Sequence, residues 1–376
     1  MRLRTLSVRG FRNLADQELQ VPREGFALLG RNAQGKSNLL EAVYYLETFR
    51  SFRGAGDGEL CRFGSPFFRV EGRLEPETPE GRGRTVATAY RREGTRKKVT
   101  LDREEVERVG DALGVLGAVV FSPADLALTS DGPRERRRFL DILLSLNAAG
   151  YLDHLQRYRQ ALERRNASLR SGAATAAVAA WDGPLIRHGT QVLLRRRQWV
   201  SEYAPTFQER YQRISGGEAA SLEYRSRVAP SGPDGPEAER IAEGFRASLA
   251  ETGEEERRRG WTTVGPHRDE LFVGLGGEGG WRSLRRYGSG GQKRTAALAL
   301  RLCEAATIRR ARREPPMVLL DDVFAELDEG RSARLLSLLE EPTTGQLLLT
   351  APKEADIRLR RELLPRWHIQ GGRVQA

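Results

Sequence analysis

The sequence predicts an α/β fold interrupted by a mostly helical insertion, and three observations carry that prediction. A glycine-rich, lysine-containing loop pattern lies between an apolar strand and an amphipathic helix near the start of the chain. Strand–helix–strand alternation returns after Trp261. Between the two, residues 134–214 carry helical periodicity and almost no strand signal. The expected division is therefore an α/β lobe made of residues 1–122 and 261–376, and an arginine-rich helical lobe of residues 123–260. A chain of 376 residues is long enough for two such domains.

Taken in order, Leu3 to Arg9 is a short, partly alternating strand stopped by Gly10. Gly25 to Gly30 is a fully apolar strand, and a helix follows from about Ser37 with Leu39, Leu40, Val43 and Leu46 on one face. Phe67 to Leu74, Thr85 to Tyr90 and Lys97 to Leu101 alternate and are broken by Gly and Pro, the pattern of an antiparallel meander. Ala118 to Phe121 is a buried strand closed by Ser122-Pro123. In the helical region Leu152, Leu155, Tyr158 and Leu162 form an apolar stripe on a basic helix. A Pro- and Gly-rich stretch at 229–236 precedes a charged helix ending near Arg259. Met317 to Leu320 and Gln346 to Leu349 are short apolar strands of the kind buried on both faces of a parallel sheet.

Charge points to a polyanionic partner. The chain has 62 basic and 51 acidic residues, a net charge of +11, and 57 of the basic residues are arginine. The isoelectric point is about 10.1. Within 131–214 there are 15 arginines, no lysine and 8 acids, so most of the excess sits in the helical region. Nucleic acid is the first candidate. The clusters Arg134, Arg136, Arg137, Arg138 and Arg195, Arg196, Arg197 are either a DNA-binding surface or solvated helix faces. No base-reading module is present, so the expectation is backbone contact with single- and double-stranded DNA and weak sequence specificity. No stretch approaches 18 apolar residues and the first residues lead into no apolar block, so neither a membrane span nor a signal peptide is expected. Two cysteines and four scattered histidines leave no disulfide framework and no zinc site. The reading is a cytoplasmic protein without membrane association.

Gly30-Arg31-Asn32-Ala33-Gln34-Gly35-Lys36-Ser37 fits the pattern G-x-x-x-x-G-K-[ST]. Its glycines let the backbone turn and aim N–H groups at phosphate oxygens, and the next helix adds its positive end. Lys36 would reach the β- and γ-phosphates and Ser37 would hold Mg²⁺. Asp321 and Asp322 end an apolar strand, where a carboxylate meets a Mg²⁺-nucleotide in such sheets. Asp321 would bind Mg²⁺ and Asp322 would orient or deprotonate the attacking water. Ser289-Gly290-Gly291-Gln292 opens a helix and is a second anion site. One nucleotide does not need two separate helix ends at its γ-phosphate, but two facing copies of the chain would supply both. That geometry motivates a dimer with ATP between the copies.

These residues resemble the ABC-type ATPase heads of the SMC/RecN superfamily, with Walker A at 30–37, the signature at 289–292, Walker B at 317–322 and Ala325-Glu326-Leu327-Asp328 after it. The likeness is closer to the RecF family, through Phe11-Arg12-Asn13-Leu14, the extension Lys36-Ser37-Asn38-Leu39-Leu40-Glu41-Ala42, Phe121 to Leu126, and Val264-Gly265-Pro266-His267-Arg268-Asp269-Glu270. The resemblance implies an ABC-type head split by a helical lobe, with no long coiled coil. It implies recombinational repair at single-strand gaps and junctions, an ATP-dependent homodimer on DNA, cooperation with RecR and RecO, and loading of RecA. It further implies slow, DNA-stimulated hydrolysis that releases the dimer. Carried over by position, Lys36 and Asp322 are catalytic, and Gly30 to Ser37 with Arg12 and Asn13 surround the nucleotide. Ser37 and Asp321 hold Mg²⁺, Ser289 to Gln292 act on the partner copy's nucleotide, and Asp328 belongs to the D-loop at the dimer seam.

Three departures bear on turnover. Asp322 stands where such heads usually have glutamate, Gly288 where they have leucine before the signature serine, and Thr350 where a switch histidine is common. The glycine predicts a looser signature turn and the shorter acid suits slow hydrolysis. Alternatives stay open: the ATPase subunit of a transporter, a P-loop kinase or small-molecule transferase, and a nucleotide-binding protein without useful turnover. Replacing Ser289 with arginine separates a sandwich ATPase, which would lose its dimer, from a kinase, which would not notice.

Overall fold

Three strands that are apolar over most of their length, Gly25–Leu29, Met317–Asp321 and Leu347–Ala351, are buried from end to end. Strands with no polar face need cover on both sides, which is the condition of a parallel sheet between helical layers. A computed structural model describes residues 1–76, 81–277, 280–341, 345–354 and 364–376, with the side chains of Ala325 and Glu326 outside the described set. The described chain falls into two units, Met1–Asp125 with Arg213–Gly216 and Ala297–Ala376, and Leu126–Gln212 with Gly217–Ala296.

The first unit holds two six-stranded sheets. One runs in the order Arg373–Gln375, Arg366–Gln370, Gly25–Leu29, Leu347–Ala351, Met317–Asp321, Ala118–Phe121, parallel except at the Arg373–Gln375 edge. The other is antiparallel and contains the expected meander, in the order Gln17–Gln20, Arg2–Arg9, Phe67–Glu75, Arg84–Arg91, Arg96–Leu101, Glu104–Glu105. Helix Lys36–Thr48 is buried at 11 of its 13 positions, because it lies in one core with both sheets. Leu39, Leu40 and Leu46 share that core with Leu6, Phe68 and Val70 from the antiparallel sheet and with Leu28, Leu319 and Leu348 from the parallel one. The opposite face of the parallel sheet, including Val318, Leu320 and Leu349, packs on Leu335, Leu336 and Leu339 of helix Glu329–Leu339.

The second unit is mostly helical, with Pro133–Asn147, Tyr151–Arg170, most of the 34-residue helix Asp182–Ser215, and Glu237–Arg259 as main helices. It also contains a three-stranded antiparallel sheet in the order Arg282–Ser283, Glu270–Leu275, Ala220–Arg225. Residues 261–296, grouped with the first lobe on sequence alone, fall in this unit. The reason is pairing: Glu270–Leu275 takes Ala220–Arg225 as its neighbour, with Leu271 opposite Tyr224 and Val273 opposite Leu222. A strand's own alternation does not specify its partner.

The arginine clusters divide into inside and outside members. Arg134, Arg138 and Arg195 are exposed, whereas Arg136 and Arg196 are buried and neither solvated nor open to DNA. Arg196 donates to Asp141 Oδ1 (2.7 Å), the Pro266 carbonyl (2.7 Å) and Tyr151 Oη (3.0 Å). Arg136 donates to Glu270 Oε1 (2.7 Å) and the Leu128 carbonyl (2.9 Å). Arg165 is likewise buried against Glu256 (2.6 Å) and Asp182 (2.7 Å). A buried guanidinium survives only with its donors satisfied, and deleting one partner of such a pair costs about 3–5 kcal/mol. Helical periodicity cannot separate these from surface arginines, because their partners are far away in sequence.

The Gly265-to-Glu270 run belongs to this network. His267 Nε2 donates to the Thr262 carbonyl (3.1 Å), so Nδ1 accepts from the Tyr158 hydroxyl (2.6 Å) and the ring is neutral. Burial pushes the His267 pKa down to about 4, with Arg268, Arg137 and Arg196 adding to the effect. His267 is thus a structural bridge within the second unit.

Candidate phosphate-binding site

The loop Gly30 to Ser37 leaves the C-terminal end of strand Gly25–Leu29 and enters helix Lys36–Thr48 through Gly35 at φ +113°, with no side chain capping the helix. The first-turn N–H groups therefore point at whatever sits in front of the helix, the arrangement that favours an anion. Gly35 is required twice over, by its φ and by the Asn13, Leu14 and Ile369 side chains, which a Cβ would approach to 3.0–3.2 Å. Ala33 also takes a left-handed conformation, at φ +65°. Lys36 lies back across the loop and donates to the carbonyls of Gly30 (2.6 Å) and Arg31 (3.2 Å).

Sheet order brings the two acidic residues to this loop. Strand Leu347–Ala351 lies between the Gly25–Leu29 and Met317–Asp321 strands, with Thr350 opposite both Leu28 and Asp321. Asp321 Oδ1 accepts from Ser37 Oγ (2.8 Å) and from Thr350 Oγ1 (2.9 Å). Burial raises the Asp321 pKa, while these two hydroxyls and the charges of Arg53 and Lys36 oppose the rise. Asp322 is left-handed at φ 54° and its N–H donates to Thr350 Oγ1 (3.1 Å). A non-glycine residue in that region stores local strain, which is typical of functional sites. Among the described residues no group of three or more His, Cys, Asp or Glu could hold a metal alone. Ser37 and Asp321, a hydroxyl and a carboxylate held 2.8 Å apart, are the oxygen donors that would suit Mg²⁺.

Arg12 and Asn13 sit beside the loop. Arg12, left-handed at φ 49°, makes a two-pronged pair with buried Glu41 (2.9 and 3.1 Å), which also accepts from Ser51. Asn13 donates to the Ala33 carbonyl (3.0 Å) and accepts from Asn38 Nδ2 (2.7 Å), and Asn38 accepts from the exposed Arg53 (3.1 Å). Gln34 is held from the far end of the chain, its side chain by the Gly371 N–H (2.7 Å) and its carbonyl by the Gly372 N–H (3.0 Å). Arg53, Thr350, Gly371 and Gly372 are the site residues that sequence reasoning missed. Thr350 was noticed only for not being histidine, and the Gly-Gly pair offers a turn signal without a destination.

The signature lies in the second unit. Ser289 Oγ accepts from the Gln292 N–H (3.2 Å) and the Ser289 N–H donates to Gln292 Oε1 (2.9 Å), a reciprocal cap on helix Gly290–Arg312. Gln292 also donates to Glu218 (3.1 Å). Ser289 and Gly290 are exposed and Gly291 is half-buried. The turn is tighter than the expected loose one: the Gly288 N–H donates to the Leu284 carbonyl (2.8 Å), and a Cβ on Gly288 would lie 2.6 Å from that oxygen. Asp328 caps helix Glu329–Leu339 by accepting from the Arg331 N–H (2.9 Å), which holds its carboxyl below the usual range. Ala325 and Glu326, named with it in the sequence motif, lie outside the side chains described.

The model of the RecF/RecN/SMC N-terminal domain matches residues 2–365. The chain is 38% identical over 361 residues to the DNA replication and repair protein RecF of Salinibacter ruber, covering 94% of this chain and 85% of that protein. It is 40% identical over 346 residues to the protein of the same description from Anaeromyxobacter sp. strain K, covering 90% and 89%. The chain belongs to the RecF family. A solved structure described as the recombination mediator protein RecF-ATPrS in the RecFOR pathway superposes with a TM-score of 0.87 at 29% identity, covering 100% of this chain and 97% of that one. An Smc head bound to the C-terminal winged-helix domain of ScpA superposes with a TM-score of 0.55 at 14% identity, a likeness of fold alone. The fold is thus the α/β head of RecF and SMC proteins, and no long coiled coil occurs among the described residues. No described helix is long and apolar enough to cross a membrane.

Proposed function

We propose that the chain is an ATP- and Mg²⁺-dependent DNA clamp of recombinational repair that hydrolyses ATP slowly. The observation that carries this reading is the convergence of the uncapped Lys36 helix end with Ser37, Asp321 and Thr350 at one end of the parallel strands. Phosphates bind the loop N–H groups and Lys36, and Ser37 and Asp321 take the metal. Mg²⁺ supplies neutralisation of phosphate charge. Asp322 orients the attacking water and accepts its proton, with its backbone fixed by Thr350. The exposed Ser289 hydroxyl and the helix end behind it act on the nucleotide of a second copy, and Asp328 lies at the same seam. A RecF-ATP structure at TM-score 0.87 supports nucleotide binding. RecR, RecO and RecA are the partners this reading expects, with gapped or junction DNA as the substrate.

Sedimentation of the protein with ADP, with ATP, and with ATP plus gapped duplex tests the mechanism. The expected states are monomer, partial dimer and dimer. A monomer in all three sinks the clamp, and Ser289→Arg is expected to keep ATP binding while abolishing the dimer.

A further inference from the structure

The outer face of the antiparallel sheet in the first unit combines bare arginines with exposed aromatic rings. Phe68, Val70 and Leu74 face the core, so Phe67, Arg69 and Arg73 face outward. Directly opposed residues share a face. Phe67 stands opposite Arg91, and Arg91 opposite Arg96; Arg69 stands opposite both Arg9 and Ala89, and Ala89 opposite Lys98. Arg69 pairs with Glu71 and Lys98 with Glu105, but Arg9, Arg91 and Arg96 are exposed and make no ion pair among the described residues. At the Arg9 and Phe67 end of the sheet the chain turns through Arg62-Phe63-Gly64, with Gly64 at φ +79°. The turn is fixed by backbone bonds from Arg62 N–H to the Gly10 carbonyl (2.7 Å), Ser65 N–H to the Arg62 carbonyl (2.9 Å) and Arg92 N–H to the Pro66 carbonyl (2.9 Å). Phe63, at its tip, is fully exposed. Its ring is held out on a well-braced turn and packs into no core.

We propose that Phe63 and Phe67, with Arg9, Arg91 and Arg96, form a face for single-stranded DNA, on which unpaired bases stack while the arginines hold phosphates. The proposal rests on the DNA reading above and adds the place on the chain and the feature that separates unpaired from paired strands. Charge selects a polyanion, because an apolar protein partner would have to desolvate the guanidinium groups of Arg91 and Arg96, and of Arg9 near Asp16, beside the rings. Of the polyanions, duplex DNA answers the arginines but hides its base faces. An unpaired strand answers both, and base–aromatic stacking tolerates any sequence.

Anisotropy titrations of a labelled oligothymidylate and a labelled duplex, with ATP present, test the face in wild type, Phe63→Ala and Phe63→Trp. Phe63→Ala is expected to weaken oligothymidylate binding by about five- to 150-fold and to change duplex binding by less than about two-fold. Its melting temperature is expected to stay at the wild-type value, since the ring packs into no core. Phe63→Trp is expected to restore single-strand affinity, with its fluorescence quenched on binding. Wild-type affinity for oligothymidylate in Phe63→Ala, or equal losses on single and double strands, overturns the proposal. If wild type binds neither DNA, the clamp reading itself fails along with it.

Discussion

At the scale of single residues, Thr350 is the unexpected hinge of the site. Its hydroxyl donates to Asp321 and accepts from the Asp322 N–H, so one oxygen aligns both acids. Thr350→Val keeps the shape and removes both bonds. Each lost hydrogen bond costs about 0.5–1.5 kcal/mol net. The expected outcome is a lower melting temperature and weaker Mg²⁺-dependent ATP binding by calorimetry, with Thr350→Ser close to wild type. His267 gives a second prediction. Its folded pKa of about 4 lies below the ordinary 6.5, so an unfolded chain takes up a proton there that the folded ring refuses. The stability it contributes is complete above pH 6.5 and is lost as pH falls towards 4, by at most about 3 kcal/mol. Thermal melts between pH 7 and 4.5 should therefore fall more steeply for wild type than for His267→Gln. Gly30 to Ser37 was legible in the sequence because a loop carries its chemistry in its spacing. Thr350 and Arg53 were not, because their positions depend on sheet order and on a side-chain relay through Asn38.

At the scale of elements, the strands of the parallel sheet and the meander were readable from apolar runs and alternation. Strand Ala220–Arg225 was not recognised, and its pairing moved residues 261–296 into the second unit. The signature turn shows the limit of reasoning from a missing side chain. Glycine before Ser289 suggested slackness, yet the helical turn Leu284–Tyr287 closes directly onto Gly288 and leaves no room for a Cβ. Installing the leucine usual in such heads, Gly288→Leu, is expected to displace Ser289 and weaken the ATP-dependent dimer at least about ten-fold by sedimentation. Nucleotide binding by the single chain should be unaffected. A Gly288→Leu protein that dimerises like wild type would show that the turn is not under steric control.

At the scale of the whole chain, composition was a fair guide to the class of partner and a poor guide to the surface. The arginine-dense stretch looked like the obvious basic face, but Arg136, Arg165 and Arg196 are spent inside the second unit on Glu270, Glu256 and Asp141. The exposed arginines of the outer sheet, Arg91 and Arg96 without an ion pair among the described residues and Arg9 near Asp16, come from outside the 131–214 stretch. Local charge counts cannot see which cations are already neutralised, because the neutralising carboxylates arrive from up to 134 residues away.

The strand that launches the phosphate loop has both of its ladder neighbours, Leu347–Ala351 and Arg366–Gln370, drawn from near the opposite end of the chain, and the Gly371-Gly372 turn then pins Gln34. During synthesis the loop therefore emerges long before the strands that complete it. About 335 residues must follow Ser37 before the Gly372 end of these walls is made, so a product terminated earlier lacks them and has no finished seat for a triphosphate.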